Sequence, residues 1–152
     1  MAIRWDSVQI RDDAGAIQNA AAPIIVSASR STDIPMFYSQ WLMNRLKRNY
    51  CVWVNPFNGV PQYISFQKTR FFIFWSKNPA PILGSLNDLD KYQFGYYFQF
   101  SLNDYDKEGY EPHVPPVSKR VDTFKRLSDR IGPSRVIWRF DPLLITDQLS
   151  IS

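Results

Sequence analysis

Between residues 23 and 139 the chain alternates short apolar runs with stretches whose apolar residues recur every three or four positions, the respective signatures of strand and helix. The strongest strand signal is Pro23 to Ser29, reading Pro-Ile-Ile-Val-Ser-Ala-Ser. After it, Phe37 and Trp41, Tyr38 and Leu42, and Leu42 and Leu46 are spaced four apart and predict one helix. Asp33 stands at its N-cap, Pro35 in its first turn, and Arg45, Lys47 and Arg48 at its negative end. An apolar strand, Tyr50 to Val54, leads through Asn55-Pro56-Phe57-Asn58-Gly59 into a return strand near Gln62 to Phe66, and a further main strand covers Arg70 to Trp75. Asn78-Pro79 opens a short helix with Ile82, Leu83, Leu86 and Leu89 on one side, and the next strand is Gly95 to Phe100. Beyond a polar, proline-containing loop at 101–116, Val117, Val121, Phe124, Leu127 and Ile131 form the apolar stripe of another helix. Gly132-Pro133 stops it, and Arg135 to Arg139 is the last strand.

Ahead of this series, residues 3–10 alternate imperfectly, and Asp12-Asp13-Ala14-Gly15 supplies turn chemistry before Ala16-Ile17-Gln18, which predicts an N-terminal β-hairpin. The expected division is therefore a hairpin extension at 1–22 and an α/β unit at 23–152, in which parallel βα units follow one another.

The length, 152 residues, supports a real core but falls short of a complete (β/α)8 barrel, which takes about 250. An aromatic content of 16% and a hydrophobic content of 45% exclude a disordered chain. No apolar run approaches a membrane span and no secretory signal is readable, so the expectation is a cytoplasmic protein with no membrane partner. The single cysteine, Cys51, rules out an internal disulfide and a multi-cysteine metal site on this chain, and it reads as a packed thiol. Net charge is +4, spread over several segments, which supports a nucleic-acid partner only weakly.

Four apolar segments end in polar clusters that contain proline: Ser29 to Pro35, Val54-Asn55-Pro56, Ser76-Lys77-Asn78-Pro79 and Arg139-Phe140-Asp141-Pro142. Proline cannot continue a central strand, so each cluster marks an exit from a sheet. In parallel α/β folds such exits form one mouth where ligands bind. Ser29, Arg30, Asn55, Lys77, Asn78, Gln99 and Arg139 are therefore candidate ligand-binding residues for a small-molecule or anionic substrate, since a guanidinium offers a rigid donor fork to phosphate or carboxylate. Asp33, Lys77 and Asp141 are the candidate catalytic groups, Asp33 and Asp141 as general bases and Lys77 as a nucleophile or an anion contact. A structural reading stands beside each: Asn78 and Asp33 as helix caps, Asn55 as a turn residue, and Arg139 with Asp141 or Lys77 as an internal ion pair. His113 lacks a second imidazole or nearby cysteine and reads as a surface residue, so no metal ligand is assigned. Lys119, Arg120, Lys125, Arg126 and Arg130, interleaved with Asp122 and Asp129, read as the solvated face of their helix.

Five blocks in order, Ile25 to Pro35, Asn55-Pro56-Phe57, Phe74 to Pro79, Tyr97 to Phe100 and Arg135 to Pro142, resemble the bacterial family called domain of unknown function 1848. The resemblance covers about residues 23–147. It implies a longer TIM-barrel-like protein whose C-terminal part carries a C-x3-C-x2-C motif similar to that of radical S-adenosylmethionine enzymes. A [4Fe–4S] cluster and S-adenosylmethionine are thus the cofactors implied for the full-length relative. This chain has none of those cysteines and is expected to bind neither by itself, as a truncated form that supplies part of the barrel. The alternative is a module that binds an anion, nucleotide or nucleic acid without catalysis.

Overall fold

The computed structural model describes residues 6–105 and 108–145. The start of the expected hairpin at 3–5 and the end of the expected α/β unit at 146–152 lie outside the described residues. In chain order the elements are β1 (Ser7–Arg11), β2 (Ile17–Ala21), β3 (Ile25–Ser27), α1 (Ile34–Phe37), α2 (Ser39–Arg48), β4 (Tyr50–Val54), β5 (Pro61–Ser65), β6 (Phe71–Ser76), α3 (Leu86–Leu89), β7 (Gly95–Ser101), α4 (Val117–Ile131) and β8 (Val136–Arg139), with 3-10 turns at Ala80–Ser85 and Pro133–Arg135.

They build a mixed α/β fold with two four-stranded sheets, ordered β3-β6-β7-β8 and β1-β2-β5-β4. The first is parallel throughout. Its central strands alternate strictly: Phe72, Phe74, Tyr96, Phe98 and Phe100 are buried on one face, while Phe71, Ile73, Trp75, Tyr97 and Gln99 point to the other and stay partly accessible. The buried rings pack as neighbours across strands, with Phe74 and Phe98 stacked at 4.9 Å between centroids. Helices cover that face. Leu42, Met43 and Leu46 of α2 and Leu127 and Ile131 of α4 join the same core as the phenylalanines.

Helix α4 has the bounds its stripe predicts, and Gly132 closes it at φ 93, donating its N–H to Ser128 O at 2.8 Å. The single helix expected after β3 is instead two. Tyr38, at φ −131, caps the end of α1 through its N–H to Ile34 O and accepts from Leu42 N–H to begin α2. The expected short helix at 79–89 is mostly 3-10, for Pro79 and Pro81 remove donors from its first turn.

The larger correction concerns Tyr50–Val54, expected among the parallel strands. It pairs antiparallel with the expected return strand, β5, but in the other sheet. The intervening turn is short, with Asn55 N–H bonded to Val60 O and Gly59 at φ 68, so local pairing costs less chain entropy than reaching a distant parallel neighbour. The N-terminal strands form the expected antiparallel hairpin, and β2 joins β5 in parallel through Ala20↔Tyr63 and Ala21↔Ile64. The parallel array thus has four strands, and the described residues form no closed barrel.

Gly95 opens β7 where it pairs with Phe71, whose ring lies where a side chain would go: an added Cβ would stand 2.6 Å from a ring carbon. Gly95→Ala is expected to lower stability by about 1–3 kcal/mol through overpacking, read as a lower urea midpoint with an unchanged m value.

Candidate functional site

The open face of the parallel sheet ends, at the C-terminal tips of β6, β7 and β8, in a connected polar group. Arg139 is its centre. Its guanidinium donates to Gln99 Oε1 at 2.8 Å and to Asp141 Oδ2 at 2.7 Å, and its carbon lies 4.8 Å from the centroid of the Trp75 ring. Gln99 in turn donates through Nε2 to the Tyr97 hydroxyl at 3.1 Å. The strands explain the grouping: Trp75 and Gln99 are register partners, Ser101 pairs with Arg139, and Tyr97 and Gln99 are two residues apart on one face. Two of the five guanidinium N–H donors are engaged by Gln99 and Asp141, and no further acceptor for the others is found among the described residues.

Lys77 follows β6 directly and forms an ion pair with Glu111, whose carboxylate also faces Arg120 Nη1 at 3.7 Å. Burial pulls the Lys77 ammonium below the ordinary lysine value and the Arg120 charge adds to this, whereas Asp141 opposes it. Arg120 is fully buried and also donates to Pro115 O at 2.8 Å and Asn103 O at 2.9 Å, tying both ends of the loop after β7 to α4. It is therefore not part of a solvated face, as its helix pattern first implied. The sequence carried a signal for this, because Arg120 lies four residues before Phe124 and seven before Leu127, on the apolar stripe. Glu111 and the ring of Trp75 were likewise missed. Glu111 sits in a loop without periodicity, and Trp75 becomes a site residue only through cross-strand register.

The candidates from the sequence divide by place. Lys77, Gln99, Arg139 and Asp141 come together at the tips of β6, β7 and β8. Asp33 lies behind them as a scaffold group: Oδ1 accepts from Met36 N–H at 3.0 Å, and Oδ2 accepts from the Ser76 hydroxyl and Lys77 N–H, both at 2.9 Å. Asn78 accepts from Ala80 N–H at 3.4 Å and donates its own N–H to Ser76 Oγ, holding the turn that leaves β6. Asn55 accepts from Phe57 N–H at 2.9 Å in the β4–β5 turn, away from the parallel sheet. Ser29 and Arg30 follow β3, at the opposite edge from β8. Strands β6 and β7 lie between these edges, three spacings of about 4.8 Å each along the sheet.

Cys51 is half-buried beside β5, and burial pushes its thiol up to about 11. Among the described residues no group of three His, Cys, Asp or Glu side chains is arranged to hold a metal ion, and no helix is long and apolar enough to cross a membrane. His113 is exposed.

These features define an α/β protein with a guanidinium-centred polar site on the open face of a parallel sheet. The chain belongs to the family described as domain of unknown function DUF1848, whose model it matches over residues 25–152. The match begins at β3, just after the N-terminal hairpin. No curated protein and no solved structure matches the chain.

Two consequences are measurable. Removing Arg120 leaves Glu111 buried with less compensation, so Arg120→Ala is expected to cost about 3–5 kcal/mol in urea denaturation. Burial raises the Asp33 carboxyl above its ordinary value of 3.8, against the pull of its three hydrogen bonds. A raised folded-state value means that its stabilising contribution is full below the unfolded value and is lost as pH rises through the folded one. In urea midpoints measured from pH 3.5 upward, Asp33→Asn should remove this falling component, and an identical pH slope in both proteins would contradict it.

Proposed function

We propose that the chain provides the substrate-facing part of a barrel-type enzyme, and that Arg139 binds the carboxylate or phosphate of a small molecule there. The observation that carries this reading is the Arg139 guanidinium, oriented by Gln99 and Asp141 and stacked on Trp75 at the C-terminal tips of parallel strands. That is where ligands bind in parallel α/β folds. A guanidinium held by two partners has little rotamer entropy left to lose on binding. In this reading the four parallel strands are a segment of TIM-barrel-like wall, and their open face is the side turned toward substrate. The Tyr97 hydroxyl, which accepts from Gln99, keeps its own proton to donate to a bound oxygen. Lys77 and Asp141 stand beside the anion as the acid and base candidates, while Asp33 serves the scaffold.

The radical S-adenosylmethionine-like activity implied by the resemblance belongs to this proposal for the family rather than to these residues. A [4Fe–4S] cluster does not fit them: the sequence contains one cysteine, and burial raises its thiol rather than favouring the thiolate. No step is assigned through a cluster on this chain.

The test is calorimetric titration of the protein with phenyl phosphate and with succinate. Saturable binding of at least one, weakened about tenfold or more by Arg139→Gln, supports the reading. Absence of binding to both overturns it. Steeply salt-dependent binding of an oligonucleotide that survives Arg139→Gln would favour the non-catalytic anion-binding alternative.

A further inference from the structure

A second concavity lies at the other edge of the parallel sheet. It is a cleft of about 530 Å3 between β3, helix α2 and the β4–β5 hairpin, a volume suited to one small molecule. Its wall is apolar, formed by Ile25, Leu42, Val52 and Ile64, with the indoles of Trp41 and Trp53 at its accessible rim. Arg30 is the one charged side chain that lines it, where the chain leaves β3, and it is exposed with no ion-pair or hydrogen-bond partner among the described residues. The hydroxyl-bearing Ser31 and Thr32 flank the same end.

Several other cations are paired at the surface. Arg45, Lys68, Lys91, Arg130 and Arg139 each meet a carboxylate within 3.1 Å. Arg30 instead stands at the mouth of an aromatic-rimmed apolar cavity. The chemistry that satisfies both halves of this site is an apolar aromatic body carrying one anionic group. The apolar body would displace water from Ile25, Val52 and Ile64, and the anion would take the guanidinium fork.

We infer that this cleft is a binding site for an aromatic monocarboxylate, separate from the Arg139 site, with Arg30 holding the carboxylate and the cleft between β3 and the β4–β5 hairpin holding the ring. The two sites lie at opposite edges of the parallel sheet, with β6 and β7 between them.

The probe is 3-phenylpropanoate, with the neutral 3-phenylpropanamide as its control, titrated by calorimetry into the whole protein. The acid should bind saturably and the amide at least about tenfold more weakly, with a similar loss for the acid in Arg30→Gln. Val52→Trp, at an accessible strand position, should abolish acid binding by filling the cleft while thermal melting reports an intact fold. The inference is overturned if the acid does not bind, or if amide and acid bind alike. It fails equally if Arg139→Gln removes binding that Arg30→Gln and Val52→Trp leave in place.

Discussion

The alternation of β6 and β7 is the constraint from which the remaining architecture follows. Phe72, Phe74, Tyr96, Phe98 and Phe100 are all buried on one face, each by about 98% or more. A fully buried large apolar side chain contributes roughly 1.5–3 kcal/mol, so these residues fix which face meets the helices. A slip of one residue would expose that set and drive Trp75, Tyr97 and Gln99 into the core. The open face is therefore polar and aromatic as a consequence of packing. Because β8 is held in register by Phe98↔Val136 and Ser101↔Arg139, the same packing delivers Arg139 beside Gln99.

A second constraint links this core to the loop above it. Arg120 emerges from the apolar stripe of α4 with no exposure, and a buried guanidinium is tolerable only if its donors are met. Pro115 O and Asn103 O accept from it, and the Glu111 carboxylate stands 3.7 Å from Nη1. The loop is thus tethered by the cost of leaving that charge unsatisfied as well as by the burial of Tyr105. Glu111 then reaches Lys77 at the tip of β6, so the electrostatics of the strand ends depend on a helix that lies behind the sheet.

Local signals account for much of the architecture and for little of its assembly. The bounds of α4 followed from its stripe and from Gly132, and the Asp33 cap followed from residue type and position, since both are set within a few residues. Which sheet β4 joins was not legible, because its apolar sequence suits either a parallel or an antiparallel neighbour and the choice is made by turn length and tertiary pairing. Likewise Gln99, Arg139, Asp141 and Lys77 were readable as strand-end polar residues, but their division from Arg30 and Asn55 depends on strand order. Sequence order brings β3 and β8 to the first and last places in the parallel sheet, so polar residues that look alike in the sequence stand at its opposite edges.

The net charge of +4 takes on a different meaning once partners are assigned. Surface pairs such as Arg45–Asp13, Lys68–Asp6 and Arg130–Asp90 cancel locally, and at physiological salt a charge is screened over about 8 Å. A long-range attraction to polyanions is therefore a weaker consequence of this charge pattern than short-range binding at particular cations. Those cations differ in setting. Arg139 is oriented by neighbours and half-shared with Asp141, which favours selectivity for an anion that can compete with or sit beside that carboxylate. Arg30 has no partner among the described residues and lies next to apolar surface, where a charge interaction is strengthened once water is excluded. The two cations are thus distinguished by whether their surroundings are polar or apolar.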